Sequence, residues 1–169
     1  MMKRWLSIVI CLLLLMLNIS CDQITKDLVR KSVSENERIS LIGKHLTLTK
    51  VENSGAFLSI GQEWNDIARN FFLIILPSII LLSGLIFIFK SRKINKWILI
   101  GASFVIGGGI GNMIDRILHG SVTDFLHLKI GSFQTGIFNM ADVSIMIGMA
   151  FLIYTSLLRS RGNSENYST

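Results

Sequence analysis

Four long apolar runs constrain this chain more than anything else in it: Trp5 to Ile24, Phe71 to Phe89, Trp97 to Ile114 and Phe138 to Leu158. Each approaches the roughly 20 residues that an α-helix needs to cross the hydrocarbon core of a bilayer. No water is available there to satisfy peptide groups, so a spanning segment must make its hydrogen bonds internally, as a helix does. The expected fold class is therefore a mainly α-helical integral membrane protein, with four transmembrane helices in one bundle over residues 1–158. Pro77 should do no more than kink the second span.

Charge supplies the orientation. Only 17% of the 169 residues are charged against 50% hydrophobic, and the charged ones lie between or beside the apolar runs. Lys3, Arg4, Lys90, Arg92, Lys93, Lys96, Arg159 and Arg161 flank those runs with no acid among them. Basic flanks stay inside, so both termini are expected on the cytoplasmic side of the membrane. The connections from about Cys21 to Arg69 and from about Asp115 to Met140 then lie outside. This placement accounts for the net charge of +6 without a nucleic-acid partner, for which no aromatic-interleaved basic stripe exists. Cys11 and Cys21 fit neither a metal knuckle nor a disulfide framework, and His45, His119 and His127 are scattered. No metal and no cofactor is expected.

Between the first two spans, Ile39 to Ile42 and His45 to Val51 alternate in polarity and are broken by Gly43-Lys44 and by Asn53-Ser54-Gly55. That pattern predicts a small extracytoplasmic antiparallel β-sheet within about residues 36–64, lying on the membrane surface. Residues 159–169 read as a polar cytoplasmic tail with nothing to bury, hence disordered. At the other end, Lys3-Arg4, an apolar run and Asn18-Ile19-Ser20-Cys21 imitate a signal peptide that ends at a lipidated cysteine. Three further spans, and Asn18 where such signals carry an aliphatic residue, argue against that alternative.

Polar groups close to a span are costly, so their positions carry functional information. Clusters at the outer ends are Asp22 to Lys26, Asn53 to Phe57, Gly107 to Arg116 with Val122 to Phe125, and Phe138 to Asp142. The glycine run is no dinucleotide fingerprint, because no βαβ unit surrounds it and Asn112 stands where the last glycine would be. Ser103, Gly107 and Gly111 instead form a stripe for close helix approach, and Gly108, Asn112 and Arg116 form an adjacent one. Asp124 and Asp142 flank a short outer connection and can meet at the membrane surface. Two carboxylates that close cannot both ionise easily, so one holds a proton while the other stays charged. This suits an aspartic peptidase, in which the charged partner takes a proton from the attacking water and the protonated one steadies the oxyanion. A structural alternative makes Asp142 a helix N-cap and Asp124 a loop acceptor. An ion path through Asp124, Asp142 and Arg116 would place one of them at mid-span, which the sequence does not. An inactive membrane scaffold is the remaining alternative.

Taken together, Asp22-Gln-x-Thr-Lys26, Asn53-x-Gly55, Gly108-x-x-Gly111-Asn112-x-x-Asp115-Arg116, Val122-x-Asp124-Phe125 and Phe138-Asn139-x-Ala141-Asp142 resemble lipoprotein signal peptidase, also called signal peptidase II. The resemblance spans about Lys3 to Leu158 and keeps the motif order. It implies a bacterial inner-membrane aspartic endopeptidase that removes the signal peptide from prolipoproteins immediately before their diacylglyceryl-modified cysteine. Asp124 and Asp142 match the family's catalytic pair. Asn53, Gly55, Gly108, Asn112, Arg116 and Asn139 match substrate-binding or supporting positions, and Asp22 with Lys26 match a pair that shapes the site. Asp115 is assigned to structure first. Phe57 follows Gly55-Ala56 more closely than the family's aromatic does, so it receives no role. Implied partners are prolipoproteins and membrane lipids, with the enzyme acting as a monomer and its site on the extracytoplasmic face.

Overall fold

The computed structural model describes residues 4–35, 37–56, 61, 63–91 and 93–165, with side chains as far as Leu158. Lys3, Phe57, Arg92 and the end of the tail, 166–169, lie outside the described residues, as do the side chains of Arg159 and Arg161. Among the described residues, four helices are long and apolar enough to cross a membrane. They are α1 (Arg4–Ser32), α2 (Asp66–Lys90), α3 (Lys96–His119) and α4, which runs from Met140 to Glu165. Helical backbone therefore continues past Arg159, where the sequence suggested that disorder begins. One four-stranded antiparallel sheet joins them, with β1 (Arg38–Ile42), β2 (Leu46–Asn53), β3 (Val122–Ile130) and β4 (Phe133–Phe138) side by side in chain order.

Local chemistry explains where each helix starts and stops. Asn65 caps α2 by accepting from the Ala68 amide, and Asn95 caps α3 by accepting from the Trp97 amide at 2.8 Å. Pro77 has no N–H to give to the preceding turn, and α2 answers with a π-helical turn over Phe71–Ile75, in which the Leu76 amide donates to Phe71 O. Gly120, at φ 73°, ends α3 in the left-handed conformation and turns the chain directly into β3. α1 outlasts its apolar run because Asp22, Lys26 and Val29 keep one face buried after the leucines end.

The bundle centres on α3, which packs against α1 on one side and α4 on the other. Small residues permit this. A Cβ on Gly111 would stand 2.5 Å from Asp22 Oδ2 on α1, and one on Gly108 would collide with the Ala141 carbonyl of α4. Cys11, Leu15, Leu99 and Ile106 fill the centre, whereas Leu13, Met16, Leu17, Ile80 and Met146 point outward as a lipid-facing surface. A second small core of Val29, Val33 and Phe125 clamps the C-terminal end of α1 to β3.

The sheet departs from its expected bounds. Its first half lies within 36–64, but the second half comes from Val122–Phe138, which the sequence suggested was only a connection. Val122, Thr123, Asp124 and Phe125 are all buried, so both faces of β3 are covered there and polarity does not alternate as in a half-exposed strand.

Candidate active site

Asp142 is fixed by the way α4 begins. Asn139 Oδ1 accepts from the Asp142 amide at 3.0 Å, and Asp142 Oδ2 accepts from the Asn139 amide at 3.1 Å. This reciprocal pair satisfies two N–H groups that the first turn of a helix would otherwise leave orphaned. Asn139 is thus the cap and Asp142 stands three positions on, which corrects the alternative that made Asp142 the cap. Its other oxygen, Oδ1, accepts from Asn112 Nδ2 at 3.0 Å.

Asp124 reaches the same spot from the sheet. Its position on β3 lies opposite Val51 of β2, and Asn53 pairs with Val122 two positions further on. Asp124 Oδ1 accepts from Asn139 Nδ2 at 2.7 Å, and Oδ2 accepts from Asn53 Nδ2 at 3.0 Å. Asn139 therefore touches both carboxyl groups, through its side chain to Asp124 and its backbone to Asp142. Burial pushes the Asp124 carboxyl up to about 6; the amide donors of Asn53 and Asn139 pull down and the nearby Asp142 pushes up, but burial dominates.

Behind this pair lies a cationic cluster. Lys26, fully buried, sits 2.8 Å from Asp22 and 3.1 Å from Asp115, themselves fully buried, and Arg30 pairs with Asp115 at 3.0 Å. Lys26 also donates to Asn112 Oδ1 at 2.9 Å, as does Asn139 Nδ2 at 3.1 Å. With two donors on its oxygen, the Asn112 amide has only its NH2 left to present to Asp142. Asp22 Oδ1 meanwhile accepts from the Ala141 amide at 2.9 Å, tying α1 to the first turn of α4.

Arg116 extends toward the sheet side. Its guanidinium donates to Gly55 O at 3.0 Å, while its buried Nε–H has no partner among the described residues. Asn53 Oδ1 holds the Gly55 amide at 3.0 Å, so the turn after β2 is braced from both sides. Asp22, Lys26, Asn53, Gly55, Asn112, Arg116, Asn139 and the two aspartates thus form one contiguous network. Gly108 lies beside it as the close contact between α3 and α4, and Asp115 is part of the cationic cluster.

Arg30 and Glu52 lie outside the motifs read from the sequence, and Gln23 and Thr123, inside them, receive no role there. Arg30 Nε donates to Thr123 Oγ1 at 2.7 Å, Thr123 donates to Glu52 at 2.8 Å, and Gln23 bridges Gly111 O and Asp115 at 3.1 and 3.2 Å. Asp22, Lys26 and Arg30 recur every fourth residue on α1, a stripe of charge that could have pointed to Arg30. Among the described residues, no three His, Cys, Asp or Glu side chains converge as metal ligands would.

A bundle of bilayer-length helices with two carboxylates brought together at one end defines a multi-pass membrane protein equipped for proton transfer. The sequence model of the family described as Signal peptidase (SPase) II matches residues 10–158. Over 161 residues the chain is 32% identical to the lipoprotein signal peptidase of Staphylococcus carnosus, covering 95% of this chain and 98% of that one. With the lipoprotein signal peptidase of Hydrogenovibrio crunogenus it shares 36% over 169 residues, covering 98% and 91%. A solved bacterial membrane enzyme superposes with a TM-score of 0.80 at 29% identity over 92% of both chains, and a second with 0.79 at 28%. This chain belongs to the signal peptidase II family and is a bacterial multi-pass membrane peptidase.

Proposed function

We propose that the enzyme removes the signal peptide from prolipoproteins by cutting immediately before the diacylglyceryl-modified cysteine, with Asp124 and Asp142 activating water between them. The observation that carries this reading is the shared Asn139, which hydrogen-bonds both carboxyl groups and so holds them in one place. The names of the relatives, lipoprotein signal peptidase, support the substrate class.

The two partners differ in a way that divides the labour. Asp142 is the more exposed of the two, open to an attacking water, and acts as the base. Asp124, buried and raised to about 6, keeps a proton more readily than an ordinary carboxyl and acts as the proton donor. Water attacks the scissile carbonyl carbon as Asp142 takes its proton, and the Asp124 proton goes to the carbonyl oxygen. The tetrahedral adduct then collapses: the C–N bond breaks as the proton on Asp142 passes to the departing amine, and one hydroxyl of the adduct returns its proton to Asp124, leaving the carboxylic acid. Arg116, within electrostatic reach of both carboxyl groups, and the braced Gly55 offer the peptide a polar edge.

Basic flanks support an extracytoplasmic site with both termini in the cytoplasm. A lipidated cysteine keeps its acyl chains in the outer leaflet, so membrane partition itself delivers the bond to the depth of the pair. The enzyme acts as a monomer in this reading, and no cofactor enters the chemistry.

The test is incubation of the full-length protein, reconstituted in a bilayer, with diacylated and unlipidated forms of one precursor. Only the diacylated form should be shortened. D124N and D142N should insert and fold yet lose on the order of 100-fold or more in turnover; cleavage retained by both would overturn the assignment.

A further inference from the structure

The two hairpin tips of the sheet meet at the end farthest from the helix bundle. The Lys129 amide donates to His45 O at 2.7 Å, and His45 Nδ1 donates back to Lys129 O at 3.0 Å. Between the tips lies a hollow of about 320 Å³ lined by Lys44, His45, Lys129 and Gly131. Four apolar side chains stand around it in the open: Leu41 and Ile42 on one hairpin, Ile130 and Phe133 on the other, the last three exposing 62, 59 and 64% of their surface.

Charge distinguishes this end from the neighbouring ends of α1 and α2. Lys26, Arg30, Lys31 and Arg69 each have a carboxylate partner. Arg38, Lys44, Lys50 and Lys129, all on the sheet, have none among the described residues. No Asp or Glu occurs in 38–50 or in 126–138; the acids of the sheet, Glu52 and Asp124, lie at its other end beside the helices. Unpaired cations around a hollow call for an anion, and apolar side chains beside them call for a hydrocarbon phase. β3 starts just after α3 and β4 ends just before α4, so the tips are tethered within about 30 Å of the bilayer.

We propose that the joined tips are an interfacial anchor that binds anionic phospholipid, with Lys44, His45 and Lys129 around a lipid phosphate and the four apolar side chains entering the acyl boundary. The bilayer surface is the occupant that meets both demands at once. The anchor holds the sheet at the level of its own membrane and is independent of what the aspartate pair does.

The experiment is amide hydrogen exchange on the full-length protein in vesicles of phosphatidylcholine alone, in vesicles with part of it replaced by phosphatidylglycerol, and in detergent with inorganic phosphate. Exchange in 41–46 and 129–134 should slow by about tenfold in the anionic vesicles relative to the neutral ones. K44Q/K129Q should lose that difference and keep full cleavage in detergent, since neither lysine touches the aspartate network. Equal exchange in both vesicle types, or slowing that survives K44Q/K129Q, would overturn the proposal. So would equal slowing by inorganic phosphate in detergent, which would mark a free-anion site instead. Because exchange is read without substrate, failure here leaves the proteolytic assignment untouched.

Discussion

Two groups of buried carboxylates lie side by side at one end of the bundle and are handled in opposite ways. Asp22 and Asp115 are held by Lys26 and Arg30, cations that pair with them directly and fix their positions. Asp124 and Asp142 are held only by amides, those of Asn53, Asn112 and Asn139. A cation locks a buried carboxylate in one protonation state, whereas a neutral donor orients it and leaves the proton free to come and go. The first group is therefore suited to hold a shape and the second to do chemistry. Lys26 belongs to both: its contact with Asn112 aligns the amide that faces Asp142.

The sharpest way to break this contrast is to remove the shared cation. K26M leaves Asp22 and Asp115 buried with less compensation, and about 3–5 kcal/mol of stability should be lost, read as a fall in Tm in detergent. D142N should leave the Tm nearly unchanged while turnover disappears. A K26M protein as stable as the parent would mean that the cluster is not structural.

The amide-held pair makes its own prediction with pH. Asp124 is raised from an ordinary 3.8 to about 6, so its contribution to stability is complete below about pH 4 and is lost as pH rises through about 6. Above that, the folded protein carries a buried charge costing at most about 3 kcal/mol. D124N lacks this titration. Parent minus D124N stability should therefore fall between pH 4 and 7; a flat difference would show that Asp124 ionises freely.

The smallest effect is expected from the ion pair that burial does not reinforce. Lys31 and Asp27 on α1 meet at 2.6 Å, but both are solvent-exposed. K31A should cost less than about 1 kcal/mol, and a larger loss would mean that charge pairing outside the cluster matters more than the contrast allows.

Much of this was legible in the sequence, for reasons that differ by region. The spans announce themselves by length alone, since a bilayer leaves few ways to satisfy a peptide group. Ile39 to Ile42 and His45 to Val51 alternate because one face of a strand meets solvent, and they form β1 and β2. Val122–Phe125 defeats the same test, covered on one side by α1 and on the other by Asn53 and Asn139. The two aspartates were visible as neighbours of a short connection, but what holds them was not: Asn53, Asn112 and Asn139 meet only through register and helix packing. Arg30 and Glu52 escaped notice because Thr123, which joins them, lies far from both in the chain.

One irregularity in β2 decides what surrounds Asp124. Leu48 pairs with Leu126 but Val51 pairs with Asp124, so β2 spends one more residue than β3 over that stretch. In an uninterrupted ladder Glu52, not Asn53, would fall on the side of Asp124. The extra residue thus shifts strand parity, delivering a carboxamide to the pair and sending a third acid to the opposite side. The same β2 sequence paired without that extra residue would exchange a neutral neighbour for a repelling one without altering any residue of the pair.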